Sequence, residues 1–322
     1  MRENNDKKYD LTPEEYNKCL TRAEIATFMK GETVEKPISI FVIAQAGAGK
    51  TGLRQFVVNE AEDIGKLGSY IEFNPDDISI HHEYYQEILE EFPDESYKIL
   101  QRFVKPALDN YLRKRAVELR NSIVQEGTFG ATQGYIDILE FQKNGGKAAI
   151  GKIKDDGTRE IKNIQGNYTI DINILAVDRF ESLLSCYERE QYFREAGLPP
   201  RVVTMENHDI AYEKLLETVR QVESKKLFDK IRVFKRGYSP EKPELVYING
   251  DNRYVSAVEA IVAERAKNRQ ELLKNPEKYN QRIEELRKRI KVSGIKEQEE
   301  RLDNLENAFN NELEKNRESR SF

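Results

Sequence analysis

Cysteines, membrane-length apolar runs and an excess of positive charge are scarce or missing in this sequence. Its two cysteines, Cys19 and Cys186, lie far apart without metal-ligand spacing, which predicts reduced thiols. No apolar run approaches a membrane span and the N-terminus has no signal-peptide core, so we expect a cytoplasmic protein that does not bind membranes. The net charge of −5 gives no global basic field, which speaks against nucleic acid as a partner, although a local basic groove stays open.

The chain is long enough for one large domain with an appendage, since 322 residues are 38% hydrophobic and 34% charged. The charged fraction rises after about Asn252, where apolar residues recur at helical spacing. Pro276 and Gly294 divide this part into two or three helices. We therefore expect a domain over residues 1–250 and a helical extension over residues 251–322, packed as a hairpin or short coiled coil.

Strand-like apolar runs alternate with charged amphipathic segments through the first part of the chain. Nearly continuous apolar runs are typical of strands buried on both faces of a parallel sheet. The alternation indicates an open α/β sheet with right-handed crossovers, flanked by helices. The strand-like runs are residues 37–44, 69–73, 122–126, 168–177 and 230–236, and the main helical segments are 55–65, 98–120 and 179–195.

Two further features can be read locally. Thr12, Pro13 and Glu15 have the spacing of a capping box at the start of a helix, and a second helical stretch is expected over about residues 22–30. Two alternating stretches around "DDGT" predict a β-hairpin insertion over residues 147–164.

The stretch "IAQAGAGKTG" (residues 43–52) follows the first strand and opens a helix, as a phosphate-binding loop does. Ala44 replaces the usual first glycine, which costs about 1 kcal/mol if that position needs positive φ and nothing otherwise. Lys50 would reach the β- and γ-phosphates, and the Thr51 hydroxyl would bind Mg²⁺. Backbone N–H groups would surround the nucleotide phosphates, so the predicted contacts are Ala46, Gly47, Ala48, Gly49, Lys50, Thr51 and Gly52.

Acidic residues follow the second and third strands. In "FNPDD", Asp76 or Asp77 could accept a proton from an attacking hydroxyl, or cap the next helix; we favour catalysis for Asp76 and capping for Asp77. Glu126 and Thr128 alternate with Gly127 at the end of the third strand, so both side chains can face the same crevice and bind a polar acceptor.

Three arginines follow the fourth strand, at positions 189, 194 and 201. Arginine forks stabilise the charge on a transferring phosphoryl group. In a chain this rich in charge, solvated salt bridges explain the same arginines equally well. Spacing alone therefore leaves their role open.

Taken in order, these motifs resemble those of the zeta toxin family, P-loop kinases that phosphorylate UDP-N-acetylglucosamine. The resemblance runs through "AQAGAGKT", "NPDD" with a nearby histidine, "EGT", "AVDRFESLLSCYERE", "PPRVVTMENHD" and "LFDKIRVFKR", over about residues 35–238. It implies a P-loop kinase fold, ATP and Mg²⁺ as cofactors, a UDP-sugar substrate, and the role of toxin in a toxin–antitoxin pair. The resemblance also implies a protein partner, a small helical antitoxin that blocks the nucleotide site.

The resemblance also assigns roles by position. It makes Asp76 the base for the sugar 3′-hydroxyl and Glu126 and Thr128 contacts to the sugar nucleotide. Arg189 and Arg201 resemble the family's phosphate-stabilising pair, whereas Arg194 has no counterpart. The remaining assignments are Lys50 and Thr51 to ATP and Mg²⁺, and His208 and Asp209 to helix structure.

Two other functions stay open. One is a P-loop kinase for a different hydroxyl, on a nucleoside, an antibiotic or a nucleic-acid end. The other is a non-catalytic nucleotide-binding module whose helical tail recruits a partner. A module of that kind has no use for a base, so the joint presence of Lys50, Asp76, Arg189 and Arg201 favours an enzyme.

Overall fold

The strands of this computed structural model form two sheets. The model describes residues 5–150, 153–154, 156, 158–237 and 241–318. The strands are β1 (Ile38–Ile43), β2 (Tyr70–Phe73), β3 (Ser122–Gly127), β4 (Gly146–Ile150), β5 (Glu160–Ile164), β6 (Thr169–Ala176), β7 (Lys230–Lys235) and β8 (Glu244–Ile248). Six of them form one sheet in the order β2-β3-β1-β6-β7-β8, and β4 pairs with β5 in the other.

Helices connect and cover these strands. A 3₁₀ helix (Asn5–Tyr9) comes first, and a π-helical turn (Leu108–Leu112) joins two of the α-helices. The α-helices are α1 (Pro13–Phe28), α2 (Lys50–Asp63), α3 (Pro75–Ser79), α4 (Tyr85–Glu91), α5 (Ser96–Ala107), α6 (Arg113–Leu119), α7 (Thr132–Asn144), α8 (Arg179–Glu195), α9 (Met205–Ser224), α10 (Ala257–Lys274), α11 (Glu277–Ser293) and α12 (Lys296–Glu318).

The main sheet confirms the predicted α/β class, because each of the five predicted apolar runs forms a strand and all five are parallel. All six residues of β1 are buried, as expected for a central strand covered on both faces. Strand β1 lies between β3 and β6, and the strands that follow it in the chain are added on both sides of it. The carboxyl end of β1 is therefore a point at which the strand order changes direction. Ligands of open α/β sheets bind in the crevice at such a switch point.

Two local predictions need correction, and one strand was not predicted. The two expected N-terminal helices are one helix, α1, in which the Thr21 hydroxyl donates to the Asn17 carbonyl at 2.8 Å and so does not interrupt it. The single helix expected over residues 98–120 is divided by the π-helical turn that follows Pro106, whose ring cannot donate a helical hydrogen bond. The antiparallel edge strand β8 was not predicted.

The predicted β-hairpin insertion is confirmed as the antiparallel pair β4–β5. Its inner residues Ala148, Ile150 and Ile164 belong to the main hydrophobic core, and Lys162 pairs with Glu118 of α6 at 2.9 Å. Four residues of the connection between its strands, 151, 152, 155 and 157, lie outside the described residues. The hairpin therefore packs as part of the domain wall.

The C-terminal residues form three helices, and α11 and α12 pack against α8. Phe309 of α12 lies 4.4 Å from the ring centroid of Tyr279 and 5.3 Å from that of Phe180 on α8. Arg282 of α11 binds Glu181 at 2.8 Å and Glu188 at 2.7 Å, both on α8. The extension thus shares a hydrophobic cluster with a helix of the sheet domain.

Both cysteines are free and buried. Among the described residues, no helix is long and apolar enough to cross a membrane.

We predict that Phe309→Ala lowers the free energy of unfolding by about 3–5 kcal/mol, because a fully buried aromatic ring is lost from this cluster. Urea unfolding followed by circular dichroism and tyrosine fluorescence checks it. Val292→Ala, at a position 90% exposed on α11, serves as control and should stay within about 0.5 kcal/mol of the parent. A separate early transition in Phe309→Ala, confined to the helical signal, would show instead that the extension unfolds on its own.

Candidate functional site

The phosphate loop, residues 44–51, leaves the carboxyl end of β1 and turns into α2. Gly47 and Gly49 have φ of +74° and +91°, the left-handed region that favours glycine. A Cβ atom on Gly47 would lie 1.9 Å from the Ser182 carbonyl oxygen, so the loop packs directly on α8. Ala44 is not among the described non-glycine residues with positive φ, and the alanine there is therefore unstrained.

Lys50 lies beneath this loop. Its Nζ donates to the carbonyl oxygens of Ala44 at 2.9 Å and Gln45 at 3.1 Å. Burial lowers its pKa to about 8; Glu126 opposes the shift, whereas the charges of Arg189 and Arg201 add to it. Among the charges that act on Lys50, two arginines thus outnumber one carboxylate, which is an environment that attracts a polyanion.

Asp76 projects from α3, immediately after β2. The Asn74 side chain caps α3 by accepting a hydrogen bond from the Asp76 N–H at 3.1 Å, so neither aspartate is needed as a cap. The Asp76 carboxylate instead forms an ion pair with Arg201. Asp77 is exposed. The structure therefore brings Asp76 and Arg201 together and leaves Asp77 outside.

The three arginines have different surroundings. Arg201, on the loop between α8 and α9, also lies over the ring of Tyr97, 5.7 Å from its centroid, and burial lowers its pKa. The Nε of Arg189 is buried without a hydrogen-bond partner in the described part of the chain. Arg194 is bound to Asp94 at 2.8 Å and to the buried Glu190 at 3.1 Å, so its charge is already paired.

The end of β3 forms another wall. Glu126 lies 3.4 Å from the Nε of Arg54 on α2, a residue that sequence reasoning missed. Thr128 Oγ1 accepts a hydrogen bond from the Gly130 N–H at 3.2 Å, which holds the turn after the strand. A Cβ at Gly127 would lie 2.3 Å from the Tyr135 hydroxyl, so α7 approaches this strand end closely.

Two open spaces were not predicted, and the first of them adjoins the phosphate loop. A cavity of about 660 Å³ extends from Gly49 and Gly52 to Arg236, which lies just after β7. A groove of about 300 Å³ runs between α6 and α7 and is lined by both signs of charge, including Arg113 and Asp137. The cavity and the groove are each formed by residues from separate elements, so no local sequence pattern predicts them.

His208 and Asp209 support the site from α9. His208 is buried and its Nε2 lies 2.9 Å from the Ser182 hydroxyl, while Asp209 binds Arg179 through two contacts of 2.6 Å. Burial lowers the pKa of His208. These contacts tie α9 to α8, the helix that carries Arg189, so the pair has a structural role between helices.

A known protein family matches the part of the chain that contains these residues. A family model described as Zeta toxin matches residues 22–150 and 152–242, which is more than half of the chain. The chain belongs to the zeta toxin family. Toxin PezT of Streptococcus pneumoniae serotype 4 is 23% identical to this family member over 232 residues, covering 71% of this chain and 81% of that protein.

A solved structure from the PezAT chromosomal toxin–antitoxin system of Streptococcus pneumoniae has the same fold as this zeta toxin family member. The TM-score is 0.62 at 20% identity, covering 86% of this chain and 98% of the other. The family model ends at residue 242, so α10, α11 and α12 lie beyond it.

The Lys50 pKa gives a pH prediction for nucleotide binding. Below about pH 8 the ammonium is charged and would attract a nucleotide phosphate in full. Above that pH the empty site holds neutral lysine, so we expect the affinity for a nucleotide to fall as pH rises. We expect the Kd of MgADP to increase by about tenfold per pH unit above about pH 8, with proton uptake on binding. Titration calorimetry in two buffers of different ionisation enthalpy measures both. Lys50→Met should bind more weakly and lose this pH dependence; a parent Kd that is flat to about pH 10 would contradict the prediction.

Proposed function

We propose that this protein is an ATP-dependent kinase that phosphorylates the sugar hydroxyl of a UDP-activated amino sugar similar to UDP-N-acetylglucosamine. We propose further that it acts as the toxin of a toxin–antitoxin pair. The observation that carries the kinase proposal is the ion pair of Asp76 with Arg201 at the same crevice as the buried ammonium of Lys50. A module that only binds nucleotide needs a cationic loop, whereas a kinase also needs a base beside it.

The phosphate loop would hold the ATP phosphates through its backbone N–H groups and Lys50, and the cavity beside Gly52 would take the nucleoside. The exposed Thr51 hydroxyl follows Lys50 on α2 and suits Mg²⁺, which usually takes few protein ligands together with phosphates and water. In the described part of the chain, no three His, Cys, Asp or Glu side chains cluster as a metal site. Bound there, Mg²⁺ would neutralise phosphate charge.

Asp76 would accept the proton of the acceptor hydroxyl as its oxygen attacks the γ-phosphorus. The bond from that phosphorus to the β,γ-bridging oxygen breaks, and ADP leaves. For Asp76 to act as a base, Arg201 must exchange the carboxylate for the oxygens of the transferring group. Arg189, whose Nε lacks a partner among the described residues, would stabilise the same charge.

The acceptor would lie between the end of β3 and the α6–α7 groove. Glu126 and Thr128 provide acceptor and hydroxyl groups for sugar hydroxyls, and Lys114 in the groove provides positive charge for a diphosphate. Arg113 lies in the same groove but is already paired with Asp109. The groove also contains Asp109, which can accept hydrogen bonds from an amide or hydroxyl. This mixture of groups fits a sugar nucleotide better than a flat nucleobase alone.

The partner proposal rests on relatives. The PezT relative is named as a toxin, and the similar solved structure comes from a toxin–antitoxin system. We propose that a small helical antitoxin binds this chain and blocks its nucleotide site.

The kinase proposal predicts that Asp76→Asn lowers phosphoryl transfer by at least about 100-fold while MgADP binding persists, because a general base contributes that much and the phosphate loop is unchanged. Purified protein is incubated with ATP, Mg²⁺ and a panel of UDP-sugars and nucleosides, and products are followed by phosphorus NMR. Asp77→Asn is the matched control, since it removes the neighbouring exposed carboxylate.

A new phosphomonoester on the amino-sugar nucleotide, lost only in Asp76→Asn, is the expected result. Phosphate on a different acceptor would overturn the substrate and keep the kinase. Nucleotide binding without transfer to any acceptor would overturn the kinase and leave a binding module.

A further inference from the structure

Helix α10 lies beyond the part of the chain that the family model matches. It carries a buried arginine, Arg265, whose guanidinium contacts the side chain of Gln45 in the phosphate loop. We propose that Arg265 is a positioning residue for the nucleotide: it braces the loop through Gln45 and strengthens the binding of the nucleotide phosphates. The inference rests on the proposed nucleotide site. It makes the C-terminal extension a component of that site.

Arg265 is fixed by two hydrogen bonds and one aromatic contact. Its Nη2 donates to the Gln45 Oε1 at 3.2 Å, and its Nη1 donates to the Tyr212 carbonyl oxygen at 3.1 Å. The guanidinium also lies 3.6 Å from the ring centroid of Tyr212. Because α9 holds the guanidinium on one side, its contact with the loop on the other side has a defined position.

Gln45 connects this guanidinium to Lys50. Its Nε2 donates to the Val177 carbonyl oxygen at 2.9 Å and to the Ser182 hydroxyl at 3.2 Å, so the side chain is held by the residue after β6 and by α8 as well as by α10. Its own carbonyl oxygen accepts the hydrogen bond from Lys50 Nζ at 3.1 Å. Displacement of the Gln45 side chain would therefore move a backbone group that positions the lysine.

The charge of Arg265 is poorly compensated by protein. The residue is 5% exposed, and among the described residues no carboxylate lies within 4.0 Å of its guanidinium. Burial lowers its pKa, and Asp178 acts on it only at longer range. A buried cation without an anionic partner is costly, and a bound polyphosphate would supply the missing negative charge. Arg265 should therefore favour polyanionic ligands over neutral ones.

The rest of α10 keeps this arrangement rigid. Asn268 donates to the Ala176 carbonyl oxygen at 3.3 Å, and Arg269 Nε binds the Asp178 carboxylate at 2.5 Å. Asp178 is the N-cap of α8. One face of α10 thus contacts the loop, the end of β6 and the start of α8.

The test measures binding of MgADP and of a non-hydrolysable ATP analogue to the full chain by titration calorimetry. We expect Arg265→Met to raise Kd by about tenfold, the loss typical of a hydrogen bond to a charged group, with the number of sites near one. Arg265→Lys should recover only part of the affinity, because an ammonium cannot form both contacts in the same geometry. Lys267→Met, an exposed charge on the same helix, is the control and should leave Kd unchanged.

A second variant covers the case in which Arg265→Met does not fold. Gln45→Ala removes the acceptor on the loop while leaving Arg265 bound to Tyr212; it should raise Kd similarly, and the double variant should add little more. In transfer assays the KM for ATP should rise while kcat and the acceptor KM stay within about twofold. A general structural defect would instead lower the number of sites at unchanged Kd.

The failures are distinguishable. If the parent binds MgADP and both Arg265→Met and Gln45→Ala bind it equally well, this inference is overturned and the proposed function stands. If both variants lower only the number of sites, Arg265 is structural and the inference is again overturned. A parent that binds neither nucleotide overturns the proposed function, and the inference with it.

Discussion

The site depends on the burial of the Lys50 ammonium beneath its own loop. A cation placed there has lost its water and has gained two backbone carbonyls, which lower its energy only in part. The glycines at positions 47 and 49 are needed so that the backbone can turn over the lysine and pack on α8. The switch in strand order at β1 provides the crevice. Together, these features form a pocket in which positive charge exceeds negative charge.

The carboxylates on the opposite wall of the crevice are each paired with an arginine. Asp76 and Arg201 neutralise each other across the crevice, and Glu126 is shared between the field of Lys50 and a contact with Arg54. Such pairs are stable only while no stronger anion is present. Entry of a polyphosphate would therefore redistribute the arginines and release the Asp76 carboxylate, which would couple ligand binding to the proposed role of Asp76 as base.

The sequence was most informative where structure is local. The apolar run of β1, the loop "AGAGKT" and the capping box of Thr12 and Glu15 at the start of α1 each depend on neighbouring residues. The fold class and the zeta toxin resemblance could be predicted from local patterns of this kind. Asp76 could be proposed as the base because it follows a parallel strand directly.

Other features depend on residues that meet only in the folded chain. Arg265 and Gln45 are 220 positions apart, and neither has a local pattern that marks the contact. The same holds for Arg54 beside Glu126, and for the α6–α7 groove. Strand β8 was missed because it has only five residues and pairs with a single neighbour, antiparallel to β7 at the edge of the sheet.

The packing of α12 on α8 has a consequence for synthesis. Glu190, buried in α8, is bound by Arg301 at 2.7 Å, and these residues are 111 positions apart. At about 5–20 residues per second, a ribosome would need on the order of 5–20 s to add the second after the first. Until α12 has been made, the apolar face of α8 lacks part of its cover, so the nascent chain is a candidate for chaperone binding, and the helix that carries Arg189 reaches its final packing late.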